Sequence, residues 1–204
     1  MKHLFIKGKN NSEETLILLH GTGGRETDLL DIAATVNSSA NILAFRGDVL
    51  EGQQLRYFKR IHPKKYDEDS LKNEGQKLYD EIKKLFELYD LDLNKGFIIG
   101  YSNGSNIASH VLLNYPLPIF GAFLMHPAYY SEQMRDIDLS HLNVLITAGA
   151  RDFKTSAGDA FKVKQLFEER NANVQIELTD GGHEIHSDEL MQGHVFYIQK
   201  RSAL

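Results

Sequence analysis

Apolar residues in this chain come in short continuous runs separated by longer stretches of helical spacing. Residues 15–19, Thr-Leu-Ile-Leu-Leu, form one run bounded by turn signals, and 41–45, 120–125 and 144–148 form others. A run of that length with no polar alternation predicts a strand buried on both faces. Residues 4–7 predict a short first strand, and the apolar run that opens at Gly96 predicts another. Val174, Ile176 and Leu178 alternate with Gln175, Glu177 and Thr179, which predicts a half-buried strand near a sheet edge.

Between the runs the period changes. Leu29, Leu30, Ile32, Ala33 and Val36 suit a short amphipathic helix. From Leu71, apolar residues recur at Leu78, Ile82, Leu85 and Tyr89. Ile107, Ala108, Val111 and Leu112 mark a third helix. Ser156-x-x-Asp159 predicts a capped fourth, and Ser187 the start of a last one. Seven strands alternating with helices imply parallel pairing through right-handed crossovers. The expectation is an α/β fold, a doubly wound, mostly parallel sheet of about seven strands with helices on both faces. Residues 46–69 break the rhythm, being rich in charge and aromatics. So long a connection in a compact domain reads as functional or mobile.

Composition narrows the picture. The 204 residues are enough for one domain, 1–204, with a full core. With 42% hydrophobic and 25% charged residues, a soluble globular protein is expected. A net charge of −5 disfavours nucleic acid or an anionic membrane as partner. There is no cysteine, which removes disulfides, zinc–thiolate sites and a cysteine nucleophile. Residues 1–7 carry too short an apolar run for a secretory signal, and no window reaches the length of a membrane span. A cytoplasmic location is the expectation.

The chemistry gathers just after the strands, where α/β sheets bind ligands. Gly100-Tyr101-Ser102-Asn103-Gly104 follows a strand and opens a helix. That is the setting in which Gly-x-Ser-x-Gly forms a nucleophile elbow. Serine needs a base, and the base needs an orienting carboxylate. Asp152, four residues past the 144–148 run, and His183, in Asp180-Gly181-Gly182-His183, complete the order Ser…Asp…His. Gly181 and Gly182 give the His183 loop freedom to reach back to Ser102. Asp159 is already explained by its capping box, and Asp180 is too close in sequence to His183 to orient it well.

Oxyanion donors are expected at the backbone N–H groups of Asn103 and of Thr22, in His20-Gly21-Thr22-Gly23-Gly24. That glycine loop lacks the ending and spacing of a phosphate loop. His183-Glu184-x-His186 lacks a second histidine where Ser187 stands, so no metal and no cofactor is expected. His126, after the 120–125 run, and Phe58, in the 46–69 connection, are expected to line the substrate pocket. A packed histidine and a core aromatic are the alternative.

These pieces resemble the alpha/beta-hydrolase superfamily over nearly the whole chain. The residues that carry the likeness are 19–24, Arg46-Gly47-Asp48-Val49-Leu50-Glu51, 100–104, Asp152 and Gly182-His183-Glu184. More narrowly the chain is similar to the small bacterial carboxylesterase/phospholipase group, relatives of the acyl-protein thioesterases. The Ser102-Asn103-Gly104-x-Asn106 form resembles the hydrolases that bacteria encode beside quinone-responsive ring-cleaving dioxygenases, the MhqD type. Asn103 departs from the glutamine usual in the thioesterase branch. The resemblance implies an antiparallel first strand and frequent homodimers, and, with little room in this chain for a separate cap domain, 46–69 as a partial lid. It implies a serine hydrolase of small-molecule carboxylic esters working through an acyl-enzyme. An acyl thioesterase or lysophospholipase is the rival within enzymes. A catalytically silent binding protein on the same fold is the rival outside them.

Overall fold

The computed structural model describes residues 1–202. Its elements follow in order: β1 (Lys2–Ile6), β2 (Thr15–Leu19), α1 (Leu30–Asn37), β3 (Asn41–Arg46), β4 (Val49–Glu51), β5 (Gln54–Arg56), β6 (Arg60–His62) and β7 (Lys65–Tyr66). Then come α2 (Glu68–Leu88), β8 (Gly96–Tyr101), α3 (Asn103–Asn114), β9 (Gly121–Met125), β10 (Asn143–Gly149), α4 (Ala157–Glu168), β11 (Asn173–Thr179) and α5 (Ser187–Arg201). Seven strands form the main sheet in the order β1-β3-β2-β8-β9-β10-β11. Only β1 runs antiparallel, pairing Lys2 with Arg46 through Ile6 with Ile42. The other pairings are parallel, and the alternating strand β11 lies at the far edge.

Alternation along each strand divides the core into two layers. On β2, Ile17 and Leu19 face the layer that holds α2, α3 and α4, where they join Ile82, Val111 and Val163. Leu16 and Leu18 face the layer under α1 and α5, with Val36, Phe196 and Tyr197. Burial on both faces is why these strands read as unbroken apolar runs. Helix ends follow local chemistry. The Asp67 carboxylate caps α2 through the Ser70 N–H, and Ser156 with Asp159 forms the expected capping box on α4.

The 46–69 connection is more ordered than its composition suggests. It folds as two small hairpins, β4–β5 and β6–β7. Tyr57, between them, is fully buried. Its hydroxyl donates to the Phe45 carbonyl and accepts from the His20 N–H, which fixes the connection to the ends of β2 and β3. Among the described residues, no helix is long and apolar enough to cross a membrane.

The crossing of α3 over β2 sets the tightest steric demand. A Cβ on Gly104 would lie 1.9 Å from the Leu19 carbonyl oxygen, and one on Gly100 would lie 2.9 Å from the Ser105 backbone. Gly104→Ala is therefore expected to cost about 3 kcal/mol or more, since neither backbone can yield. Gly158→Ala, in the first turn of α4 with only the Ser156 hydroxyl within 4 Å, should be neutral or stabilising by up to about 1 kcal/mol. Urea unfolding of the two variants checks the contrast.

Candidate active site

β8 ends and α3 begins with almost no connection, and the backbone of Ser102 absorbs the turn at φ 51° and ψ −113°. A non-glycine residue held there is strained. The strain is maintained by the Ser102 N–H donating to the Met125 carbonyl at 2.9 Å and by the Ser105 hydroxyl donating to the same carbonyl at 2.8 Å. The serine side chain thereby stands beyond the carboxyl end of the sheet, at the mouth of a cleft of about 500 Å³.

His183 reaches Ser102 from the loop after β11. Its Nε2 lies 2.9 Å from the Ser102 Oγ and its Nδ1 2.7 Å from an Asp152 Oδ2. The Tyr101 hydroxyl donates to the His183 carbonyl at 2.7 Å and holds the loop. Gly181 and Gly182 serve a different purpose from the expected one. Neither adopts a left-handed φ. The need is space: a Cβ on Gly181 would lie 2.0 Å from the His186 ring, and one on Gly149 would lie 2.1 Å from the Gly182 carbonyl. The loop reaches Ser102 by packing against the end of β10.

Asp152 is the meeting point of this network. Its Oδ1 accepts from the Lys154 and Thr155 N–H groups, and its Oδ2 from the Thr155 hydroxyl, at 2.8 Å, and His183. Burial pushes its pKa up, but these donors outweigh burial and hold the carboxyl below the ordinary carboxylate range. For His183 burial outweighs the attraction of Asp152, so the imidazole titrates below its ordinary value of 6.5. Asp180 stays outside, 84% exposed and paired with Arg151 at 2.6 Å. Asp159 keeps to its cap.

Thr22 and Asn103 both line the cleft beside Ser102. Neither backbone N–H has a hydrogen-bond partner among the described residues. The Thr22 loop is braced by His20, which is buried and neutral. Its Nδ1 donates to the Gly21 carbonyl at 2.6 Å and its Nε2 accepts from the Gly47 N–H at 3.0 Å. Burial lowers its pKa, which keeps that tautomer uncharged. Gly23 N–H donates to the Leu55 carbonyl, so β5 carries the same loop.

Two expectations for the pocket are not met. Phe58 is fully buried and does not line the cleft; it packs edge-on against Tyr66 in the core. Its backbone follows Tyr57, whose anchored hydroxyl draws this turn inward. His126 is also fully buried. A φ of 50° at the end of β9 turns its ring beneath the sheet end, between Asp152 and Glu189. Its Nδ1 lies 3.0 Å from an Asp152 Oδ2 and its Nε2 3.2 Å from Glu189. Burial opposes its protonation, yet the two carboxylates prevail and its pKa is raised. His126, Asp152 and His183 offer three ligand-type atoms within 4.8 Å of one another. Each of those atoms is already engaged by an N–H···O contact within the network.

The sequence reading missed Glu189, Thr155 and Tyr101. Glu189 had one signal. It stands three residues after His186, at the third position of α5, where its carboxylate accepts from the His186 N–H at 3.0 Å. It also missed that Arg56 and Arg60 border the cleft.

The likeness to known proteins follows this geometry. No protein-family model matches the chain. It is 34% identical over 197 residues to MhqD of Bacillus subtilis, a protein named as a hydrolase; the match covers 97% of this chain and 98% of that one. The chain belongs to the alpha/beta-hydrolase superfamily, in its small carboxylesterase group of the MhqD type. A Bacillus cereus carboxylesterase superposes on this hydrolase with a TM-score of 0.94 at 38% identity, covering 98% of this chain and 94% of that one. A Mesorhizobium loti carboxylesterase superposes with a TM-score of 0.87 at 28% identity, covering 92% and 89%. This protein is thus a hydrolase of the carboxylesterase type.

The buried ion pair of this hydrolase gives a pH-dependent expectation. His126 has a raised pKa in the folded state, so its contribution is full below about 6.5 and fades as pH rises through the raised value. Glu189→Gln should therefore cost about 3 kcal/mol near pH ~6, where it leaves the buried His126 charge with Asp152 as its one remaining carboxylate. The cost should shrink as pH rises through the raised value and His126 loses its charge. Denaturant unfolding on either side of that value measures the difference.

Proposed function

We propose that the protein hydrolyses small carboxylic esters with Ser102 as nucleophile, His183 as general base and Asp152 as orienter. The observation that carries this reading is the unbroken chain of contacts from Ser102 Oγ through His183 to Asp152, at 2.9 and 2.7 Å. The geometry suits each role. His183 Nε2, at 2.9 Å, is placed to take the hydroxyl proton as Oγ attacks the acyl carbon. Asp152 accepts from Nδ1, fixes the tautomer and stabilises the imidazolium.

The tetrahedral intermediate then carries its charge on the former carbonyl oxygen. The unpartnered N–H groups of Thr22 and Asn103 are the donors for it, and the N-terminus of α3 adds its dipole. His183 returns the proton to the leaving alcohol, which leaves an acyl-enzyme on Ser102. Water, activated by the same imidazole, releases the acid and restores the serine. Nothing in the cleft favours a thioester over an ester, and the ester reading follows the carboxylesterase relatives.

Kinetics on nitrophenyl esters test the assignment. Ser102→Ala and His183→Ala should each lower kcat by about 10⁶-fold, with the double variant hardly worse, because the groups act as a unit. Asp152→Asn should lower it by about 10⁴-fold through the wrong imidazole tautomer, and Asp180→Asn by less than about twofold. Full turnover in Ser102→Ala would end the mechanism.

A further expectation concerns acid. His183 must be neutral to act as base, and its pKa is lowered. The acid limb of kcat/KM should therefore lie below the ordinary imidazole value of 6.5, with activity rising through it as pH increases. An acid limb above that value would contradict the site as described.

A further inference from the structure

The cleft over Ser102 has a charge opposite to that of the protein around it. The chain carries a net −5, yet the charged side chains that border the cleft beside His183 are Arg56, Arg60, Lys64 and Lys154, with no carboxylate among its described lining residues. Two acids behind the wall partly offset them: Asp152, bonded to the lining residues His183 and Thr155, and Glu51. Glu51, on β4, receives Arg56 Nη1 at 3.0 Å and Arg60 Nε at 2.7 Å. It is 40% exposed and serves two guanidiniums. Positive charge remains in excess.

Arg56 is not a loose surface cation. It is 4% exposed, its Nη1 also donates to the Thr22 hydroxyl at 3.0 Å, and its Nε donates to the Phe58 carbonyl at 3.3 Å. It therefore stands one hydrogen bond from the loop that carries the Thr22 N–H. Its Nη2 and both Nη groups of Arg60 make no hydrogen bond within the described residues. Burial and the neighbouring Arg60 charge both lower the pKa of Arg56, a repulsion that an incoming anion would relieve.

A second donor points the same way. The Asn103 side chain is 2% exposed, and its Oδ1 is committed to the Tyr57 N–H at 2.8 Å. That contact orients the amide, and the Nδ2 is left buried with no partner. Asn103 lines the cleft next to the nucleophile. A buried donor without an acceptor is a cost the fold does not otherwise recover, and a substrate oxygen would satisfy it.

We infer that the cleft selects anionic esters, those bearing a free carboxylate close to the scissile bond, with Arg56 and Arg60 receiving the carboxylate and Asn103 Nδ2 donating to a neighbouring substrate oxygen. This rests on the hydrolase reading of the same site. It narrows the substrate to half-esters and related acidic esters, and away from long neutral acyl chains. A planar carboxylate suits paired guanidinium donors, which bind it through parallel hydrogen bonds. The surplus positive charge would also draw such substrates in against a negative protein.

The test compares matched esters on the full-length protein. Nitrophenyl hemiglutarate against nitrophenyl pentanoate places the charge on the acyl side. The butyrate of 4-hydroxybenzoate against that of its methyl ester places it on the alcohol side. In one pair or the other, kcat/KM for the charged ester should exceed the neutral one by about tenfold at low salt. Added salt should shrink that ratio. Arg60→Gln, at a 30% exposed side chain whose one side-chain hydrogen bond among the described residues is to Glu51, should lower it about tenfold. A role for the arginines in holding the Thr22 loop alone would change both esters of a pair equally. Neutral esters preferred in both pairs, or a ratio that Arg60→Gln does not move, would overturn the inference while leaving the hydrolase reading intact. No turnover of any ester by the unaltered protein would defeat the hydrolase reading itself.

Discussion

The strained backbone of Ser102 is the constraint on which the rest depends. A residue at φ 51° between a strand and a helix is costly on its own. It persists because α3 is pressed against β2 so closely that only glycine fits at 104, and because Ser102 and Ser105 both bond the end of β9. Once that turn is fixed, the serine hydroxyl has one place to point. The N-terminus of α3 faces the same space, and three other strand ends must deliver their groups to it. β2 brings the Thr22 loop, β10 brings Asp152, and β11 brings His183.

The electrostatics follow from the same packing. Asp152 gathers donors from its own loop and from two histidines, so it stays ionised in a buried place. The second histidine, His126, is held between two carboxylates and is the more easily protonated of the two. One carboxylate thus faces an imidazole kept neutral for chemistry and another drawn toward the charged form for structure. Burial alone would lower both; the difference is Glu189, which of the two imidazoles touches His126 and not His183.

Much of this was legible in the chain. Both-face burial of strands leaves continuous apolar runs, which is why β2, β3, β9 and β10 could be placed to within a residue or two. Gly100-x-Ser102-x-Gly104 was legible because its glycines answer a steric demand set locally. Phe58 and His126 were misjudged for one reason: strand-end position says where the backbone goes, not which way the side chain turns. The left-handed φ of His126 and the buried hydroxyl of Tyr57 decided those directions. Glu189 and Arg56 were missed because their partners lie 63 and 34 residues away in sequence. The 46–69 connection was legible as functional from its length and composition, but which of its cations border the cleft is decided by the fold of two small hairpins.

The central claim is that the chemistry passes through a covalent acyl group on Ser102. The most direct measurement is rapid acid quench of the protein during turnover of a nitrophenyl ester, followed by mass spectrometry of the intact chain and its peptides. The account predicts one acyl group added per chain, on the peptide that contains Ser102, forming in a burst with nitrophenol release and absent from Ser102→Ala. Continued ester turnover with no acylated chain, or an acyl group carried on a different residue, would contradict it.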